Sequence, residues 1–428
     1  MPECRREVDY VRFLFIIYIN DIAENLKSEI LIFADDCSLM VSAEDPSQST
    51  KILNDDLETI SKWASTWKIT FNPDKSQDII FSNKMLNNSP PTVLNNEYIC
   101  RVNTVRHLGL YLTSTLDWNT QIYHVCLKAN RKLSVLRRVK NLQRNTLDLL
   151  YKITVRSVID YSIFVYYQTL TLLQKNKLDK IQYSAAKLVT STLHYTSREK
   201  LEKELGWESI RERADNLGLT LFHKIHCNVT RPLVKSCMPV IRNTNTALRS
   251  NTVYMETAYK GLKYRNSFFP YMSRRWNKLP KDIKQKTVDD FKEYLKLNVK
   301  PKRYKFYGRG FKFKCSLLTR IRVGRSFLNE HSFSINLSES PSCQKCLSPR
   351  ESPLHYITSC PEHAEHRAEL YTKMEQFIPQ FKLLPKKRQF EILIYGYESD
   401  NDEMVRINTK IMILTQNFIY DTRRFISC

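Results

Sequence analysis

Glycine is scarce, with 8 residues in a chain of 428. Gly-rich phosphate loops and long flexible linkers both depend on that residue, so its scarcity argues against them. Long apolar runs are missing as well. The longest near the start, Phe13 to Ile19, has seven residues, too few to span a bilayer. Asn20-Asp21-Ile22 follows it without the small-residue cleavage site of a secretory leader. No lipidation motif is visible either. Eleven cysteines are scattered along the chain. An odd number at such spacing excludes a small disulfide framework and reads as thiols in a reducing compartment. No membrane association and an intracellular location, nucleus or cytoplasm, are expected.

What is present in excess is positive charge. The formal net charge is +23, and 42% of residues are hydrophobic. The chain is long enough for two to four domains with real cores, and its charge favours a polyanionic partner, nucleic acid or an acidic membrane surface. The charge is unevenly placed. Residues 1–90 carry 9 Lys/Arg against 15 Asp/Glu, residues 101–190 carry 15 against 4, and residues 256–326 carry 21 against 5. Carboxylates suited to cations come first, and surfaces suited to phosphates follow.

Residues 10–26 read as a helix bearing Phe13, Leu14, Ile17 and Ile22. Ile30-Leu31-Ile32-Phe33 and Cys37 to Val41 read as buried strands joined through Ala34-Asp35-Asp36, a hairpin with carboxylates at its tip. Leu53, Leu57, Ile60, Ala64 and Trp67 repeat at helical spacing over 47–68, with Ser47 or Ser49 as a cap. A turn at Asn72-Pro73-Asp74-Lys75, a strand at 78–82, a loop at 88–91 and a hairpin over 98–113 follow. From 119 onward the pattern is helical. Ile122, Cys126, Ala129, Leu133 and Leu136 line one face, with Lys128, Arg131, Lys132, Arg137 and Arg138 around the others. Further helices are expected near 144–170, 172–191, 207–228 and 286–299, with a linker at 236–252.

Two carboxylates at a hairpin tip repel unless a cation neutralises them. Mg²⁺ takes oxygen ligands and is commonly held by one or two carboxylates plus substrate phosphates, although Asp-Asp is also an ordinary turn dipeptide. The surroundings of this turn are specific. The run Phe-Leu-Phe-Ile-Ile-Tyr-Ile-Asn-Asp-Ile at 13–22, Phe-Ala-Asp-Asp at 33–36, Trp67-Lys68-Ile69 with Asn72 and Lys75, and His107-Leu108-Gly109-Leu110-Tyr111-Leu112 with Leu116-Asp117-Trp118 occur in that order. Together they resemble the palm of non-LTR retrotransposon (LINE/jockey-like) reverse transcriptases. The resemblance is clear over about 13–190 and weaker to 300. Arg265 to Pro270 and Arg274 to Pro280 resemble the tail of the same proteins.

The resemblance implies that Asp35 binds catalytic Mg²⁺ with Asp36 beside it in support. It implies that Asn72 and Lys75 lie near the incoming triphosphate. Leu108, Gly109 and Tyr111 would belong to the primer grip, and the basic helices from 119 would be a thumb tracking a duplex backbone, although a solvated helix face is the plainer reading of those charges. The family also has fingers and two earlier palm motifs, one supplying a further metal-binding aspartate. Residues before Phe13 match neither motif. These 428 residues are therefore expected not to polymerise DNA by themselves, unless a partner supplies the missing fingers and palm. RNA and DNA are the expected partners, and the alternative reading is a noncatalytic nucleic-acid-binding protein with a basic helical body and a zinc module.

Two further segments carry chemistry. Residues 300–314 read KPKRYKFYGRGFKFK, seven basic residues interleaved with five aromatics. Cations for phosphates and aromatics for unpaired bases suit single-stranded nucleic acid, with Lys302, Arg303 and Lys305 as contacts. A basic strand with one apolar face, or a nuclear-import signal, fits the same letters. The other segment is Cys343-x2-Cys346-x8-His355-x4-Cys360, a Cys₃His set suited to Zn²⁺. His363 and His366 are alternative fourth ligands, and unliganded thiols the alternative state. It resembles the zinc-binding segment found after the reverse transcriptase in several such elements.

The expected fold class is α+β. A truncated polymerase palm of antiparallel strands with helices is followed by a mostly α-helical thumb and C-terminal region with a small zinc-binding module. The expected divisions are a partial palm over 1–114, a thumb-like helical domain over 115–235, a linker and basic connector over 236–314, the zinc module over 315–375, and a helical tail over 376–428.

Overall fold

The structure, a computed structural model, describes residues 13–82, 90–192, 195–230, 232–241, 254–256, 258–259, 261–298, 304, 306–398 and 401–425. Lys302, Arg303 and Lys305 lie outside them, as does most of the expected linker at 236–252. The chain forms two compact units, residues 1–121 and 122–428. The architecture is mixed, with many helices and only small two-stranded sheets.

In the first unit, residues 13–18 are helical and a 3₁₀ turn follows at Asn20–Ala23. Ile19 and Ile22 are buried, whereas Phe13, Leu14 and Ile17 are exposed, so only the end of this segment packs. Strands β1 (Glu29–Phe33) and β2 (Asp36–Met40) form the antiparallel hairpin that the apolar pattern indicates. They are half-buried rather than buried. Ile30, Ile32, Cys37 and Leu39 pack on Ile19, Ile22 and Ile60, while Phe33 and Met40 face outward. A sheet of only two strands has one helical layer to cover it, so one face stays wet.

Helix α1 (Pro46–Trp67) matches the expected span, with Ile60 and Ala64 buried. Its N-cap position is Asp45 with Pro46 in the first turn, and no side chain caps it. Ser47 and Ser49 lie inside the helix instead, because proline's fixed φ and missing N–H suit the first helical position. The buried carboxylate of Asp56 accepts the backbone N–H groups of Lys27 (3.0 Å) and Ser28 (2.7 Å), pinning the entry to β1 onto α1. Burial pushes that carboxyl up, and these hydrogen bonds outweigh it and hold it below its usual value.

The strand expected at 78–82 reduces to β3 (Gln77–Asp78). Asp78 there holds Arg101 at 2.7 Å and Thr92 at 3.0 Å. Beyond it lie β4 (Val93–Leu94) paired with β5 (Glu97–Tyr98), β6 (Cys100–Arg101), and the hairpin of β7 (Thr104–His107) and β8 (Leu110–Thr113). The β3–β6 pair is parallel, not antiparallel, since the intervening chain carries it back to the same end.

The second unit is helical. Helix α2 (Asn119–Arg138) buries Ile122, Val125, Ala129, Leu133 and Leu136, with Cys126 only half-buried at the edge of that stripe. Helix α3 (Arg144–Leu150) continues through a π turn at Tyr151–Arg156 to Asp160. Helices α4 (Leu172–Thr190), α5 (Arg198–Leu205) and α6 (Ile210–His226) follow. Full capping boxes start α4 (Thr171 with Gln174) and α6 (Ser209 with Glu212). Helices α7 (Phe268–Asn277) and α8 (Val288–Asn298) pack on α6 around Trp276, Phe291 and Phe222. There the ring of His223 stacks on Phe291 at 4.2 Å and Arg275 reaches Asp215 at 3.3 Å. The Arg-Arg-Trp-Asn run is thus a packing element with a charged rim.

Further along, beside several helices of four to six residues, come α9 (Lys312–Arg322), α10 (Pro353–Thr358), α11 (Ala364–Glu375), α12 (Lys386–Tyr395) and α13 (Asp402–Asp421). They share one apolar core that includes Phe306, Tyr356, Phe381, Leu393 and Met412. No helix among the described residues is long and apolar enough to cross a membrane.

Candidate functional site

The β1–β2 hairpin turns through Ala34 and Asp35, with Phe33 paired to Asp36. Ala34 adopts a φ of 54° and Asp35 does not share the positive sign, the pattern of a type II′ turn. Both carboxylates are exposed at the tip, and neither has a hydrogen bond or ion pair among the described residues. Their combined field reaches the neighbouring thiol. Burial, then Asp36, then Asp35 push Cys37 above its usual value. Among the described residues no third His, Cys or carboxylate joins them in a metal-sized group.

The second hairpin turns at Leu108 (φ 44°) and Gly109 (φ 83°), both left-handed as a two-residue type I′ turn requires. Its strands meet the first hairpin. Ser38 Oγ lies 3.4 Å from His107 Nδ1, so the aspartate hairpin and the His107–Leu112 stretch sit side by side. Tyr111 donates its backbone N–H to Gln121 Oε1 at 3.0 Å, and Arg106 covers its ring at 5.8 Å. Ser38 and Gln121 carry no sequence signal of their own. Only the packed hairpins mark them.

Asn72 and Lys75 behave differently. The Asn72 side chain caps a 3₁₀ turn at Pro73–Lys75, accepting the N–H groups of Asp74 (2.9 Å) and Lys75 (3.4 Å). The Lys75 side chain is exposed, with no hydrogen bond or ion pair to Asp35 or Asp36 among the described residues. On α2, Lys128, Arg131, Arg137 and Arg138 are exposed and Lys132 half-buried. None of the five has an ion pair among the described residues.

The cysteine–histidine segment closes into a cluster. Ligand atoms of Cys343, Cys346, His355 and Cys360 all lie within 4.8 Å of one another. The sulfurs of Cys343 and Cys360 are 3.9 Å apart, those of Cys346 and Cys360 3.8 Å, and Cys346 Sγ is 3.2 Å from His355 Nε2. A tetrahedral ion about 2.3 Å from sulfur and about 2.0 Å from nitrogen sets sulfur–sulfur edges of about 3.8 Å and a sulfur–nitrogen edge of about 3.5 Å. The sulfur edges match, and the nitrogen edge is slightly short.

The backbone builds this cluster deliberately. Leu347 takes a φ of 60° and donates to the Cys343 carbonyl at 2.8 Å, folding the knuckle. Ser352 caps α10 by accepting the His355 N–H at 3.1 Å, which sets the ring toward the sulfurs. Cys360 donates its N–H back to the His355 carbonyl at 2.8 Å, and Arg367 bonds the Cys360 carbonyl. Burial pushes the Cys360 thiol up and holds the His355 imidazole below its usual value, a direction that favours the neutral ring a metal needs. His363 is buried against Tyr356 at 5.2 Å, and it and His366 stand outside the group of four.

This chain is similar, at low identity and over part of its length, to RNA-directed DNA polymerases of non-LTR retrotransposons. It is 21% identical over 201 residues to the RNA-directed DNA polymerase from mobile element jockey of Drosophila melanogaster, which covers 46% of this chain and 22% of that protein. It is 22% identical over 196 residues to the probable RNA-directed DNA polymerase from transposon BS of the same species, covering 45% and 22%. To the retrovirus-related Pol polyprotein from type-1 retrotransposable element R1 of Bradysia coprophila it is 23% identical over 188 residues, covering 42% and 19%. The chain thus spans about a fifth of the length of these relatives. No protein-family model and no solved structure matches it.

Proposed function

We propose that these residues are the metal-turn and nucleic-acid-handling part of a retrotransposon reverse transcriptase, binding RNA and DNA without polymerising by themselves. The observation that carries the reading is the exposed Asp35–Asp36 pair on a hairpin held against the His107–Leu112 hairpin. In this reading residues 1–114 are a partial palm and 115–235 a thumb. Residues 236–314 connect them to a zinc module at 315–375 and a helical tail at 376–428. Asp35 and Asp36 would hold Mg²⁺, which supplies charge neutralisation for a transferred phosphoryl group. Lys75 and the Leu108–Tyr111 turn would lie toward the triphosphate and the primer end. Two carboxylates suffice to bind one such ion with water and phosphate, but a two-metal site needs a further bridging ligand. Fingers and that ligand would have to come from outside these residues, from another segment or a partner chain.

Cys343, Cys346, His355 and Cys360 would hold one Zn²⁺, whose chemistry there is structural, since four protein ligands leave no open position. The unpaired cations of α2 support phosphate contact that ignores sequence.

The test is primer extension with the purified chain, Mg²⁺, deoxynucleotides and a primed RNA template. No extension is expected, together with binding of the primed template. Extension that disappears in Asp35→Ala would overturn the inactive reading, and absence of any template binding would overturn the nucleic-acid reading.

A further inference from the structure

The basic, aromatic-rich stretch is divided by the fold. Phe306 and Tyr307, at 1% and 7% exposure, belong to the C-terminal core and cannot reach a ligand. Past Gly310 the pattern inverts, with Phe311 80% and Phe313 51% exposed. Lys312 stands between them and donates its ammonium to the carbonyl of Lys140, just after α2. Lys314 donates to Asn417 Oδ1 on α13 at 2.8 Å and lies 4.4 Å over the ring of Tyr420. That ring is 38% exposed and meets Phe313 edge to face, centroids 6.3 Å apart. Three aromatic rings outside the core are therefore interleaved with cations, two of which are anchored.

The charge is uncompensated. Among the described residues Lys140, Arg309, Lys312 and Lys314 have no ion pair. The first turn of α9 contains no acidic residue, although that end of a helix is already positive. Burial, and then Lys140, make the Lys312 ammonium easier to deprotonate. Asp421, next to Tyr420, is the one carboxylate on the adjoining helix turn.

An anion is needed, and exposed ring faces favour one that carries planar groups. A duplex hides its base faces. An acidic membrane would favour an amphipathic helix with an exposed apolar face, whereas α9 buries its apolar face, Cys315, Leu317, Leu318 and Ile321, in the core. Unpaired nucleotides offer both phosphates and free base faces. We propose that Phe311, Phe313 and Tyr420, flanked by Arg309, Lys312 and Lys314, form a platform for single-stranded nucleic acid. This rests on the nucleic-acid reading above and assigns a separate surface to unpaired strands.

The experiment titrates the full chain into labelled oligo(dT), oligo(U) and a labelled duplex, with fluorescence anisotropy as readout. Phe311→Ala combined with Phe313→Ala is expected to weaken single-strand binding by at least about tenfold. Duplex binding should stay within about threefold, because that contact is to phosphates. Phe311→Trp with Phe313→Tyr should restore single-strand affinity, which separates loss of stacking from misfolding. Unchanged single-strand affinity in the alanine variant, or equal loss on duplex, would overturn the platform. If the parent chain binds neither strand form, the broader nucleic-acid reading fails as well. If it binds both and only the aromatic variants are silent, the platform alone fails.

Discussion

Ala34 shows how a single residue sets the aspartate turn. Its φ of 54° is one that a residue with a Cβ rarely adopts, at a cost of about 1–2 kcal/mol. The strand pairing on either side holds it there, and the result is a short loop with two carboxylates at its end. The Cys₃His cluster works on the same scale. Four side chains can share one ion only if their protons leave, so metal binding and folding are coupled. Chain purified under reducing conditions is expected to carry one zinc by elemental analysis. Cys346→Ser is expected to lose most of it and to lower the unfolding temperature, and a chelator should reproduce that drop in the unmodified chain. Unmodified chain that carries no zinc as purified and melts like Cys346→Ser, with no shift on adding the chelator, would refute the site.

Between elements, the strongest polar device is the buried Glu204 on α5. Arg144 of α3 reaches it at 2.8 Å and Arg322 of α9 at 2.6 Å, with Thr319 at 3.3 Å, so one carboxylate ties three helices together. Burial pushes its carboxyl up, but Arg322 and Arg144 outweigh that and hold it below the usual range. A depressed folded-state pKa stabilises above the unfolded value, and that stability is lost as the pH falls through the folded one. Glu204→Gln leaves two buried guanidinium groups uncompensated and is expected to cost about 3–5 kcal/mol. Thermal unfolding would show the deficit in full near neutral pH and a narrowing gap to the unmodified chain in acid. A gap independent of pH would mean that packing, not charge, accounts for it.

Over the whole molecule the charge of +23 dominates. Its exposed part includes Arg131, Arg137 and Arg138 on α2. If these contact phosphates, replacing all three by Gln should reduce the slope of log affinity against log salt on duplex DNA by about 2.7. Sequence preference should not change, because such contacts read no bases. Titrations at several salt concentrations measure this, and an unaltered slope would assign those charges to a merely solvated face.

The aspartate hairpin, the long helix at 46–67, the helical run from 119 and the Cys₃His spacing were all legible in the sequence, since each depends on local periodicity or on short spacing. The Ser47 or Ser49 cap and the strand at 78–82 were not, because Pro46 and a parallel partner at Cys100–Arg101 decided them. Nor could the letters 300–314 say which rings are free. The sequence by itself determined that basic and aromatic residues alternate there. Only the tertiary structure decided that Phe306 and Tyr307 are interior while Phe311 and Phe313 face water. It likewise decided that the Asn72 amide caps its own turn, and that Ser38 meets His107. The physical reason is the same in each case: a face becomes buried, or a polar group satisfied, according to what distant segments bring to it.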